Sequence, residues 1–173
     1  MAGDIFQVGR EVAVSLREGD GTGLRLLLRE RFGTPGPPED RLVEITPAAG
    51  PDATHTVAEV ITAGGAPLVP APGDGRTTLL NLITADRPSW ALDFNVAETR
   101  EHIRHLPGFV GTAFLTGRAT GELIELVQWR DAADLRAAFA DERFRAHVDT
   151  VRRAARTDVG RYEILPHRTE ENA

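Results

Sequence analysis

Glu125 is the residue with the most to explain. It lies in Glu122 to Trp129, Glu-Leu-Ile-Glu-Leu-Val-Gln-Trp, where side chains alternate in the manner of a strand. That alternation puts Glu125 on one face with Leu123, Val127 and Trp129. A carboxylate among aliphatic neighbours is pushed toward its protonated form unless an arginine pairs with it. Two readings follow: an ion pair, or a general base and hydrogen-bond partner for a ligand. Trp129 either packs under a helix or lines a hollow with its indole N–H toward a ligand oxygen. Asn81 lies mid-run in Thr77 to Thr84, where asparagine is disfavoured, so it needs a hydrogen-bond partner in the fold or in a cavity. His147, beside Val148, is either a packing residue or a proton shuttle.

Other candidates carry less. His102 and His105 could ligate a metal, but no carboxylate on the same turn completes a site. His55 and His167 fall in stretches that read as solvated. Gly19-Asp20-Gly21-Thr22-Gly23 has the spacing G-x-G-x-G and lacks the long unit of a dinucleotide-binding loop, so it reads as a turn. Ser15 and Ser89 have no nucleophile-elbow context.

Composition removes whole classes of chemistry. The 173 residues contain no cysteine, which excludes disulfides, thiolate metal sites and a thiol nucleophile. They contain no lysine either, which excludes Schiff-base chemistry and a P-loop lysine. A net charge of −6 with dispersed arginines disfavours nucleic acid as a partner. No apolar run is long enough to span a bilayer, and the first residues lack a signal-peptide core, so the expected location is cytoplasmic.

The elements that must position these residues fall in two parts. Thr77–Thr84 predicts a strand and Trp90–Leu106 a helix with Leu92, Val96, Thr99, Ile103 and Leu106 inward. Phe109–Thr116 and Glu122–Trp129 predict a hairpin. Asp131 caps a short helix with Ala132, Leu135 and Phe139 inward. Phe144, Val148, Val151 and Ala155 mark a further helical face, and Asp158–Leu165 a last strand. The order is β-α-β-β-α-β, a ferredoxin-like α+β unit over residues 76–168. Residues 64–75, rich in Pro and Gly, read as a linker or extended crossing. Residues 169–173 are a tail. Residues 1–63 read as an N-terminal α/β extension: strands at Ile5–Leu16, Arg41–Ile45 and Thr54–Ile61, with a helix at Leu24–Phe32 ending at Gly33. This extension is either a degenerate half-repeat or a set of elements packed on the main unit.

The unit over residues 77–166 resembles the antibiotic biosynthesis monooxygenase family of dimeric α+β barrels. The resemblance rests on Pro107-Gly108-Phe109, Val127-Gln128-Trp129, Asp131-Ala132-Ala133-Asp134 and Phe144-Arg145-Ala146-His147 in that order. It implies a homodimer that buries the sheet face the helices leave open, and a cavity between sheet and helices for a flat aromatic ligand. It further implies a cofactor-independent monooxygenase with molecular oxygen as co-substrate. The substrate would be an aromatic polyketide of anthrone or naphthol type, oxidised to a quinone. Glu125 would be the base, Trp129 and Asn81 donors to oxygen, and His147 a proton shuttle. A cyclase or aromatase, or a non-catalytic ligand-binding subunit, are the alternatives. The chain departs from the quinone-forming branch: Glu125 stands at its Asn position, Leu135 at its Tyr position, and its helix arginine has no clean match, with Arg145 and Arg152 the two candidates to substitute for it. It departs from the haem-degrading branch too, with Ala138 at a second Trp position and His147 one residue out of register, although Asn81 matches.

Overall fold

The computed structural model describes residues 5–16, 23–32 and 41–167. Eight strands carry the fold. In chain order they are β1 (Glu11–Ser15), β2 (Leu24–Arg31), β3 (Leu42–Pro47), β4 (His55–Thr62) and β5 (Thr77–Ala85). Then follow α1 (Pro88–Glu101), β6 (Phe109–Gly117), β7 (Leu123–Trp129), α2 (Ala132–Ala138), α3 (Glu142–Ala154) and β8 (Ala155–Leu165). All strand pairs are antiparallel, and the strands close into a barrel in the order β1-β3-β2-β8-β5-β7-β6-β4.

The C-terminal β5-α1-β6-β7-α2-α3-β8 segment is the expected βαββαβ unit, with spatial order β8-β5-β7-β6. The alternation of its strands serves two cores. Leu80, Ile124 and Leu126 point into the barrel beside Leu26, Val43 and Ile45. Leu79, Leu123 and Trp129 point outward beneath the helices. Both faces of the strands are therefore apolar, because each is buried.

The N-terminal part supplies the other half of the barrel. The sheet face expected to need a second chain is covered by β1 to β4, so the burial argument for a homodimer is met within one chain. Leu24–Arg31 is a strand, not the expected helix. Its leucines and arginines favour a helix in isolation, but the segment pairs with β3 on one side and β8 on the other. Leu24, Leu26 and Leu28 alternate into the barrel, and tertiary pairing overrides local propensity. The first expected strand is shorter than its pattern: Ile5 and Phe6 are buried ahead of it. Residues 64–75 form no regular element, yet Leu68 is buried in the barrel core, so this crossing is pinned to the sheet. The Gly19–Thr22 turn, Gly33 and the 169–173 tail lie outside the described residues.

Helix phase differs from expectation in two places. In α1 the buried stripe is Ala91, Asn95 and Thr99, while Leu92 and Val96 are half-buried. The helix ends at Glu101, and a short turn at Ile103–His105 completes the stretch read as helical. In α3 the buried residues are Phe144, His147 and Val151. Asp131 caps α2 as expected, accepting from Asp134 N–H at 2.8 Å, but Phe139 is largely exposed at that helix's end.

Candidate active site

Beneath α1 and α3, on the outer face of β5, β7 and β8, lies a cavity of about 110 Å³. A single water needs only about 10–15 Å³ by the same measure, so the space is large enough for a ligand. Its lining is mostly apolar, with Leu79, Val127, Leu135 and Phe144 among its walls. Glu125, Asn81, Trp129 and His147 all line it.

Glu125 and Asn81 are direct cross-strand partners on β7 and β5. No arginine pairs with Glu125 among the described residues; its hydrogen-bond partner is the Asn81 side chain. Burial pushes the carboxyl up to about 7, and the Asn81 hydrogen bond holds it from going higher. An ionised carboxylate only accepts, so the Asn81 amide N–H donates to it. Asn81 Oδ1 is buried without a hydrogen-bond partner. The pair thus offers a base that titrates near neutrality and an unused acceptor beside it.

Trp129 closes one wall. It is 1% exposed and meets Phe109 and Phe144 edge-on, with ring centroids 5.6 and 5.9 Å away. Packing and lining are therefore the same role for this residue. Phe109 is placed by the turn before it: Gly108 has φ +80°, and a Cβ there would overlap Asp134. His147 stacks on Phe94 at 5.3 Å. Burial lowers its imidazole to about 4, against an opposing pull from Glu98, so it is neutral near pH 7. Its Nδ1 is buried without a hydrogen-bond partner.

The helices over the cavity are tied to each other from outside. Asp141 caps α3 through Phe144 N–H at 2.8 Å and also meets His102 Nε2 at 2.7 Å. Arg143 bridges Glu98 and Glu101 of α1 at 3.0 Å each. His102 thus fastens the cover. His55, expected to be solvated, is instead buried, with Nδ1 2.8 Å from Thr54 Oγ1 and Nε2 3.6 Å from Glu122. Burial lowers its imidazole, partly offset by Glu122, and it is not part of the cavity lining. His167 is exposed.

Between the two candidate arginines the geometry chooses. Arg152 lines the cavity, whereas Arg145 hydrogen-bonds the carbonyls of Phe139 and Ala140. Sequence reasoning missed Asn95 and Phe32, and placed Thr99 inward without giving it a place in the site. Asn95 donates its amide N–H to Ala91 C=O at 2.7 Å, which leaves its side-chain oxygen as the acceptor it can offer. The signal was present as small and polar residues at i, i+4 and i+8 of α1, a pattern that leaves room over a sheet. Phe32, just past β2, brings the N-terminal half into the wall. Its N–H bonds Val159 C=O at 2.9 Å.

Over 88 residues the chain is 34% identical to the tetracenomycin-F1 monooxygenase of Streptomyces glaucescens, an alignment covering 50% of this chain and 79% of that enzyme. The chain belongs to the antibiotic biosynthesis monooxygenase family. No protein-family model matches it. Solved structures agree on the fold of this monooxygenase-family chain. An anthrone oxidase-like protein superposes with a TM-score of 0.65 at 16% identity, covering 99% of this chain and 84% of the other. A ferredoxin-fold protein related to antibiotic biosynthesis monooxygenases, from Listeria monocytogenes, superposes with a TM-score of 0.55 at 12% identity, covering 93% and 97%.

Proposed function

We propose that the cavity is the reaction chamber of a cofactor-independent monooxygenase that oxidises an aromatic polyketide of anthrone or naphthol type to a quinone. The observation that carries this reading is Glu125: a carboxyl held near neutrality by burial, hydrogen-bonded to Asn81, in an apolar hollow without a paired arginine among the described residues. Such a group takes a proton from a phenol or an activated ring carbon at physiological pH. The name of the Streptomyces glaucescens relative supports the reaction type.

The chemistry balances without a further reductant. Glu125 removes a proton from the substrate, leaving an electron-rich anion. That anion gives one electron to O₂, and the resulting radical pair joins at the ring carbon as a peroxide. Loss of water, with the proton returned through Glu125, leaves the new carbonyl: one oxygen atom enters the quinone and one leaves as water. Asn81 and the Trp129 indole hold the developing negative charge, and neutral His147 relays a proton. With substrate filling the cavity, the apolar walls exclude the water that would quench the anion. The substrate supplies the electrons and O₂ accepts them, so the reading needs no cofactor.

An oxygen electrode with a dihydroxyanthrone as substrate tests this. The expected result is one O₂ consumed per quinone formed, with one labelled atom from isotopic dioxygen in the product. Turnover of a poly-β-ketone without oxygen uptake would instead make the protein a cyclase. Ligand binding with no turnover of either compound would make it a binding subunit.

A further inference from the structure

The barrel contains the site's carboxylate position twice. Taken alone, β1 to β4 stand in the spatial order β4-β1-β3-β2, and β5 to β8 in the order β8-β5-β7-β6. In each half this is fourth-first-third-second, and the two seams, β2 with β8 and β4 with β6, join a second strand to a fourth. The barrel therefore has an internal two-fold arrangement.

The ladders fix its register. In the C-terminal half Glu125 faces Asn81 on the first strand and Phe114 on the second. In the N-terminal half Glu44 faces Ser15 on the first strand and Arg25 on the second. The register that superposes these ladders also matches the two seams, to within the bulge at Ala58. It lays Glu44 on Glu125 and Ser15 on Asn81. The side chains agree, for the residues flanking Glu44, Val43 and Ile45, point into the barrel as Ile124 and Leu126 do.

The surroundings have diverged. Leu79 and Trp129, walls of the cavity, correspond to Ala13 and Ala48. Helices α2 and α3 stand between β7 and β8, but only a short turn at Gly50–Asp52 separates β3 from β4. Glu44 is 2% exposed, and its carboxylate accepts from Gly23 N–H at 3.1 Å. Both Ser15 and Glu44 are engaged in further interactions.

We infer that the N-terminal half is a second copy of the same unit whose reaction site has been dismantled, leaving Glu44 as a structural anchor and one reaction site per chain. The inference rests on the proposed function for the role of Glu125 and stands on register and packing for the rest. A carboxylate that accepts from a backbone N–H, as Glu44 does from Gly23, stabilises the fold, whereas one left in a cavity for a reaction costs stability.

The test contrasts Glu44→Gln and Ser15→Ala with Glu125→Gln in the full chain. Thermal midpoints at pH 8, dihydroxyanthrone turnover and titration with a dihydroxyanthraquinone are read for each. Glu44→Gln is expected to lower the midpoint by about 3–10 °C and to leave turnover within about twofold. Glu125→Gln is expected to keep or raise the midpoint while turnover falls by about 10²-fold or more. The unaltered chain is expected to bind one quinone. A second bound equivalent that Glu44→Gln removes would overturn the inference. So would a Glu44→Gln midpoint equal to that of the unaltered chain, or turnover lost in Glu44→Gln or Ser15→Ala with the midpoint retained. If Glu44→Gln does not fold, the anchor role is upheld, and Ser15→Ala with the quinone stoichiometry decides the site count. If the chain neither binds the quinone nor turns over, the functional reading falls while the contrast in midpoints still decides the repeat.

Discussion

Replacing Glu125 with glutamine should stabilise the protein above neutral pH while disabling it. The carboxyl titrates at 4.5 in an unhindered chain and near 7 in the fold, because burial disfavours its charged form. Between those values the folded state holds a proton that the unfolded state has lost, so stability falls as pH rises through this window. The shift corresponds to about 3 kcal/mol at full effect above pH 7, at about 1.4 kcal/mol for each pH unit. Water admitted to the cavity screens the charge, so this figure is an upper bound. The glutamine amide carries no charge at any pH, so the variant escapes the cost. At pH 8 its midpoint should therefore exceed that of the unaltered chain by at most about 6–12 °C, and at pH 4 the two should converge. Thermal unfolding followed at both pH values checks the stability side. Turnover checks the other side: the unaltered enzyme should gain rate with pH through an inflection near 7 as the base ionises, and the variant should lose about 10²–10⁴-fold. Equal pH dependence of stability in the two proteins would mean that the carboxyl is not buried against a fixed environment, and the assignment of Glu125 as base would lose its physical ground.

Three further outcomes follow from the same geometry. Asn81→Ala removes the hydrogen bond that restrains the Glu125 carboxyl, so the inflection in a pH–rate profile should move above 7. Phe32→Ala takes away the wall that the N-terminal half contributes, and quinone titration should show affinity reduced about tenfold, or roughly 1.4 kcal/mol of lost apolar contact. Gly108→Ala forces a side chain onto a left-handed residue that packs against Asp134, and denaturant unfolding should show a loss of about 1–3 kcal/mol.

The C-terminal half was legible because short strands, apolar on both buried faces, are punctuated by turns and by helices of recognisable period. Leu123, Glu125, Val127 and Trp129 alternate, and the odd residue in that alternation lines the cavity between Val127 and the other apolar walls. Pro107-Gly108-Phe109 was readable for a local reason, since the glycine's φ of +80° sets the turn that enters β6, and the β6–β7 hairpin then brings Phe109 against Trp129. Helix phase was less legible. Leu92 and Val96 look more suited to burial than Ala91 and Asn95, yet the helix turns its smaller and more polar stripe to the sheet, where Asn95 and Thr99 line a hollow. The burial of His55 was hidden because it depends on β4 pairing with β6, which brings Glu122 from the far side of the chain to its Nε2, while the local Thr54 contact alone does not report it.

The N-terminal half was obscured by the feature that makes it useful. Its outer face has no helices between β3 and β4 to demand an apolar stripe, so only the barrel-facing positions are constrained. Leu24, Leu26 and Leu28 meet that constraint at every second residue, but Leu27 fills the gap and gives the run a helical look. What identifies the segment as a strand is its place between β3 and β8, where Leu26 meets Ile164 and Leu28 meets Tyr162 from the far end of the chain. The same long-range pairing brings Phe32 to the cavity and closes the barrel within one chain. A site completed in this way depends on no subunit equilibrium, so specific activity should stay constant as the protein is diluted from micromolar to nanomolar. Activity falling in proportion to dissociation of a dimer would show that a second chain supplies part of the site, and would break the link drawn here between barrel closure and function.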